Sequence, residues 1–93
     1  MLAKFPTDGK GVSKKMLDWQ MLRLGIIAEL DAIDLYEQLA AATSDKKLKA
    51  VFLDVAREEK THVGEFMTLL LDTDKEQVRE LEAGKKEIRE EFD

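Results

Sequence analysis

Apolar residues recur along this chain at steps of three and four. From about Lys15 to Ala42 the recurring positions are Trp19, Leu22, Ile26, Ile33, Tyr36 and Ala40. Gly25 lies within the run and proline is absent from it, so the spacing predicts one helix of about 28 residues, on the order of 40 Å long. A break follows at "ATSDKK" (42–47), where Thr43 or Ser44 can cap a second helix and Asp45 suits its first turn. The second helix runs from about Asp45 to Leu71 on Leu48, Phe52, Val55, Phe66 and Leu69. "TDKE" (73–76) has the form of a capping box, Thr73 to Glu76, and opens a third helix to about Glu91. Its apolar stripe is thin: Val78, Leu81, Ile88 and Phe92, with Gly84 and Lys85 between. Ser13 is the candidate cap of the first helix, and residues 1–12, with Pro6, Gly9 and Gly11, read as an irregular arm.

Two helices joined by a short loop lie antiparallel and bury only the stripes where they touch. Leu30, Leu35, Leu39, Val51, Val63 and Leu70 fall off those stripes, so a lone hairpin leaves them half exposed. Pairing two hairpins about a two-fold axis makes a four-helix bundle and covers them. The expected fold is therefore all-α, one domain over residues 1–93: the arm (1–12), an antiparallel helical hairpin (13–72) and a shorter C-terminal helix (73–93), paired as a homodimer or larger. Composition agrees. The chain is 44% hydrophobic but only 6% aromatic, with 5 Gly and 1 Pro, which leaves too little turn chemistry for an all-β fold.

The net charge of −5 argues against a nucleic-acid partner, which asks for a basic face. No run nears the roughly 18 apolar residues of a membrane span. "MLAKFPTDGKGVSKK" lacks the apolar segment of a secretory signal, so the expected address is the cytoplasm with no membrane partner. The chain has no cysteine, which removes disulfides, thiolate metal ligands and a cysteine nucleophile.

Polar residues break both stripes near their middles. Glu29 falls on the first stripe (22, 26, 29, 33, 36, 40), and Glu59 and His62 fall on the second (48, 52, 55, 59, 62, 66, 69). Glu29 lies about 14 residues before the break and Glu59 about 15 after it, so antiparallel helices set them at similar heights. Buried carboxylates without a partner take up a proton or find a cation, and Arg57 and Lys60 step off the stripe. Glu59 and His62, one turn apart, offer an oxygen and a nitrogen to a single ion. Such donors without sulfur suit Fe, Mn or Zn. Two Glu and one His are half the ligand set of a carboxylate-bridged di-iron site, which takes a Glu from each of two helices and an E-x-x-H from each of two others. A two-fold dimer supplies the other half. The alternative is a buried histidine satisfied by a carboxylate in an ordinary helical core.

Three further features have two readings each. Gly64 either permits close helix approach at a dimer seam or is a tolerated surface glycine. Asp31, Asp34 and Glu37 form either a solvated acidic face or a cation path. Met16, Met21 and Met67 read as packing residues rather than chemistry.

At "AELDAIDLYEQ" (28–38) and "REEKTHVGEF" (57–66) the sequence resembles the encapsulated ferritins, a short branch of the ferritin-like superfamily, over about residues 20–72. The resemblance implies a ferroxidase that oxidises Fe(II) to Fe(III) at a di-iron centre between two subunits. It implies Glu29, Glu59 and His62 of each as the iron ligands, with Tyr36 supporting them. It also implies homodimers built into a ring, a decamer in relatives, inside an encapsulin nanocompartment that stores the iron. Relatives use acidic residues matching positions 28 and 31 as a metal-access site; Ala28 here leaves Asp31, helped by Asp34, as its candidates. Leu35 stands where some relatives have an aromatic. Shell cargo usually carries a C-terminal targeting peptide with a Gly-Ser-Leu-like core, or is fused to the shell; this chain ends "KKEIREEFD" and shows neither. Two rival functions use the same residues. One is a rubrerythrin-like di-metal peroxidase, against which stands the lack of a C-x-x-C module. The other is a non-enzymatic helical oligomerisation module with a structural metal or none.

Overall fold

Each helix starts on a side chain that catches free backbone N–H groups. In the computed structural model, which describes residues 13–93, Ser13 accepts from the Met16 N–H at 3.1 Å and opens α1 (Lys14–Ala42). Asp45 accepts from the N–H groups of Lys47 and Leu48, both at 2.9 Å, and opens α2 (Lys46–Thr73). Asp74 accepts from the Gln77 N–H at 3.1 Å and opens α3 (Lys75–Phe92). The described residues are thus helical throughout apart from short breaks, as the periodicity predicts. The arm expected over 1–12 lies outside them.

Two of these caps differ from the expected ones. At the first break the cap is Asp45, not Thr43 or Ser44. A carboxylate satisfies two N–H groups at once and sets negative charge at the positive end of the helix. The Thr43 hydroxyl instead accepts from the Asp45 N–H at 3.1 Å and holds the turn. At the second break Thr73 is the last residue of α2 and caps nothing. Its hydroxyl accepts from the Trp19 indole N–H at 2.8 Å, and Asp74 alone separates α2 from α3. Asp74, only 5% exposed, also accepts from Arg23 Nη2 at 3.1 Å. One carboxylate therefore caps α3 and ties it to α1.

The pairs Trp19–Thr73, Gly25–Phe66, Glu29–His62 and Tyr36–Phe52 meet in opposite order along α1 and α2, so the hairpin is antiparallel. Its buried line is Ile26, Ile33 and Ala40 on α1 and Ala56 and Leu70 on α2. The first stripe is as expected. Of the second, Phe52, His62 and Phe66 meet α1 as expected, whereas Leu48 and Leu69 at its ends are exposed and Ala56 and Leu70 beside it are buried.

Leu30, Leu35, Leu39 and Val51 are exposed, as a lone hairpin requires, and Leu70 is not. No side chain of α3 is buried, and Phe92 is 74% exposed. The radius of gyration is 16.9 Å, against about 12 Å for a compact chain of this length. A hairpin with a projecting third helix accounts for the difference. No described helix is long and apolar enough to cross a membrane.

Candidate metal centre

Glu29 sits on α1 and Glu59 and His62 on α2, where the two helices face each other. One donor atom from each side chain can be chosen so that all lie within 4.8 Å of one another. His62 Nδ1 stands 3.4 Å from Glu29 Oε2 and 3.4 Å from Glu59 Oε2. These distances exceed a well-formed N–H···O hydrogen bond. A single ring nitrogen also cannot donate fully to both oxygens. The three groups are arranged more like donors around a shared point than like a satisfied core histidine.

Their burial is uneven. The carboxylates are 19% and 18% exposed, whereas the His62 side chain is 44% exposed. His62 therefore lies at the edge of the helix–helix seam. Along α2 the positions seven residues away on either side are Val55 and Leu69. Leu69 lines an apolar groove of about 490 Å³ with Met21, Leu22, Gly25 and Phe66.

The nearby cations are engaged elsewhere. Lys60 Nζ pairs with Glu37 Oε2 at 3.3 Å and Arg57 Nη2 with Asp54 Oδ1 at 2.7 Å, both pairs well exposed. The Arg57 hydrogen bond holds the Asp54 carboxyl below its ordinary range. No lysine or arginine among the described residues forms an ion pair with Glu29 or Glu59. Two largely buried carboxylates with an imidazole and no ammonium or guanidinium suit a divalent cation. Oxygen and nitrogen donors without sulfur fit Fe, Mn or Zn.

The other expected residues are placed apart from this cluster. The Tyr36 ring stacks on Phe52, centroids 6.3 Å apart and planes at 28°, one heptad along α1 from Glu29. Asp31 and Asp34 are exposed and outside the cluster. Gly64 meets nothing within 4 Å at its Cβ position, so it serves no close approach within the hairpin. The close approach is instead at Gly25, where a Cβ would stand 3.2 Å from Phe66 Cδ2 and Cε2. Periodicity alone does not reveal that contact, because it depends on the rotation of α2 about its axis.

Comparison with known proteins agrees with this geometry. The profile of the EncFtn-like family matches residues 6–85. The chain is 61% identical over 71 residues to the ferritin-like-encapsulin shell fusion protein of Pyrococcus furiosus, covering 76% of this chain and 21% of that protein. It is 41% identical over 69 residues to the encapsulin nanocompartment cargo protein EncC of Myxococcus xanthus, covering 71% of this chain and 53% of that one. It therefore spans about a fifth of the first relative's length and about half of the second's. The crystal structure of the encapsulated ferritin domain from Pyrococcus furiosus matches with a TM-score of 0.85 at 49% identity, over 99% of this chain and 96% of that one. With a ferritin-like helical architecture and a family match over most of its length, the chain belongs to the EncFtn-like family.

Proposed function

We propose that this chain is one half of a ferroxidase. Two copies pair about a two-fold axis, and Glu29, Glu59 and His62 of each bind Fe(II) as substrate at their interface. The two Fe(II) give up one electron each, O₂ takes both electrons with two protons and leaves as H₂O₂, and the two Fe(III) formed pass on to storage. The residues' own part is to hold the metal: the carboxylates neutralise its charge and His62 sets its position from the open side.

The observation that carries the reading is the convergence of three donors within 4.8 Å, with the imidazole left 44% exposed at the edge of the helix–helix seam. Three donors do not fill the coordination shell of iron, and a second copy brings three more. The same copy would cover exposed Leu35, Leu39, Val51 and Leu69. Tyr36, through its place beside the seam, supports the centre's position rather than binding metal.

The reading extends to the surroundings. Relatives described as a shell fusion and as nanocompartment cargo support an encapsulin shell as the partner and a nanocompartment in the cytoplasm as the place of work. A ring of dimers, a decamer, is the larger assembly proposed, and native mass spectrometry counts its subunits. Asp31 and Asp34 are proposed as a weak access site for Fe(II).

The test mixes anaerobic Fe(II)-loaded protein with O₂ and follows absorbance in the near ultraviolet. Wild type is expected to oxidise iron well above the protein-free rate and His62→Ala to fall to that rate. Equal rates for the two proteins refute the assignment. Faster turnover with peroxide than with O₂ would point to a di-metal peroxidase instead.

A further inference from the structure

Gly25 and Phe66 meet one turn away from the metal-binding triad. Gly25 precedes Glu29 by four residues on α1, and Phe66 follows His62 by four on α2, so the contact lies about 6 Å along the axes from the donors. A Cβ on Gly25 would stand 3.2 Å from both Phe66 Cδ2 and Cε2, and 3.8 Å from Cγ. Those distances are tighter than ordinary carbon contacts, so the ring edge already lies against the α1 backbone. Gly64 and Gly84 have no neighbour within 4 Å at the same point. Gly25 is thus the one described glycine whose missing side chain is used for packing. Glycine also weakens a helix interior, which makes a packing reason for it physically informative.

From this contact we infer that Gly25 and Phe66 act as a spacer that sets the width of the metal centre. The inference rests on the metal-binding reading of Glu29, Glu59 and His62. A rigid ring whose edge rests against a bare backbone defines how near α1 and α2 approach at that height. The next turn carries Glu29 on one helix and His62 on the other, with 3.4 Å between Nδ1 and Oε2. Adding a methyl group at position 25 requires the ring or the helix to give by a few tenths of an ångström. Metal–ligand distances are held to about 0.2 Å, so a shift of that size between the two helices is felt by a bound ion. Phe66 and Gly25 are positioning residues, acting through Glu29 and His62 without touching the metal.

The ring also has a way out. The groove that it lines with Met21, Leu22, Leu69 and Thr73 could receive it, and the donors would then stay where they are. Metal binding distinguishes the two responses without relying on turnover. The probe is Co(II), titrated into metal-free protein by calorimetry, with its visible absorption recorded as a report of ligand geometry. Gly25→Ala is expected to bind Co(II) about 10-fold more weakly than wild type, as when a group that orients a ligand is altered. Its absorption bands should shift, while the unfolding temperature of the metal-free protein should not fall. Phe66→Leu, which removes the ring without adding bulk, is expected to weaken binding by a similar factor. Combining the two, so that the new methyl fills part of the lost ring volume, should recover most of the affinity.

Co(II) affinity within twofold of wild type in both single variants, with unshifted bands, overturns the spacer. So does a double variant that is weaker than either single one. If His62→Ala binds Co(II) as tightly as wild type, the metal-centre reading itself fails. That result is separate, because it does not involve Gly25 or Phe66.

Discussion

Glu29→Gln is expected to move stability in opposite directions with and without metal. The substitution keeps the side chain's shape and removes one of two carboxylate charges whose donor oxygens can lie within 4.8 Å of each other. Two unit charges at that distance repel by about 3.5 kcal/mol at an effective dielectric of about 20. The carboxylates are 19% and 18% exposed, but the half-exposed His62 beside them lets water screen part of this. A net relief of about 1–2 kcal/mol is therefore the working figure for the metal-free protein. For a chain of this size that raises the unfolding temperature by about 5–15 °C. Metal reverses the order. A divalent ion at 100 times its dissociation constant stabilises wild type by about 2.7 kcal/mol through mass action, and a variant without the Glu29 ligand gains much less. The assay is thermal unfolding followed by helical circular dichroism, at one protomer concentration, with chelator and then with excess Co(II). The expected pattern is a variant more stable than wild type in chelator and less stable in metal. A variant destabilised in chelator would mean that the Glu29 carboxylate is already satisfied within the chain. Equal stabilisation of both proteins by Co(II) would place the ion elsewhere. Either result refutes the account of the triad as an incomplete cation site.

Other expectations follow from the caps and the exposed face. Asp74→Ala should cost about 2 kcal/mol in urea unfolding: roughly 1 from the lost α3 cap, and about 0.5–1 from the hydrogen bond with Arg23, discounted because Arg23 is half exposed. Asp74→Asn keeps the cap and should cost under about 1 kcal/mol. Asp45→Ala should cost about 1 kcal/mol while Ser44→Ala costs close to none, which separates the cap in the structure from the one expected of the sequence. Val51→Asp is expected to leave helix content unchanged but to give monomers by analytical ultracentrifugation and to abolish O₂-dependent iron oxidation. Intact dimers in that variant would move the subunit interface to another face.

The helices were legible because their signals are local. Ser13 caps at a distance of three residues, and the first stripe buries Ile26, Ile33 and Ala40 as its spacing implies. The misplaced caps at Thr43 and Thr73 share a physical reason. Serine and threonine suit a cap by residue type, but an aspartate stands nearby at each break, and its carboxylate takes the free N–H groups instead. Thr73 was claimed by Trp19, 54 residues away in sequence, and no local rule anticipates a partner at that distance.

The site was legible in part for the opposite reason: its residues violate the pattern around them. A carboxylate on an apolar stripe is costly unless something neutralises it, so Glu29 and Glu59 stood out, and the antiparallel turn put them at one height. Their spacing across the seam was not legible, because axis separation depends on the smallest side chains. Gly25 looks like a gap in the apolar stripe, yet it is where the Phe66 ring lies against the α1 backbone. Large residues fill whatever space remains, which is why Leu48 and Leu69 could be read as core and lie outside it. The polar residues thus identify the chemistry, and the small ones decide its dimensions. A metal centre between two such helices needs both, since the donors that neutralise an ion must also stand at the distance at which it binds.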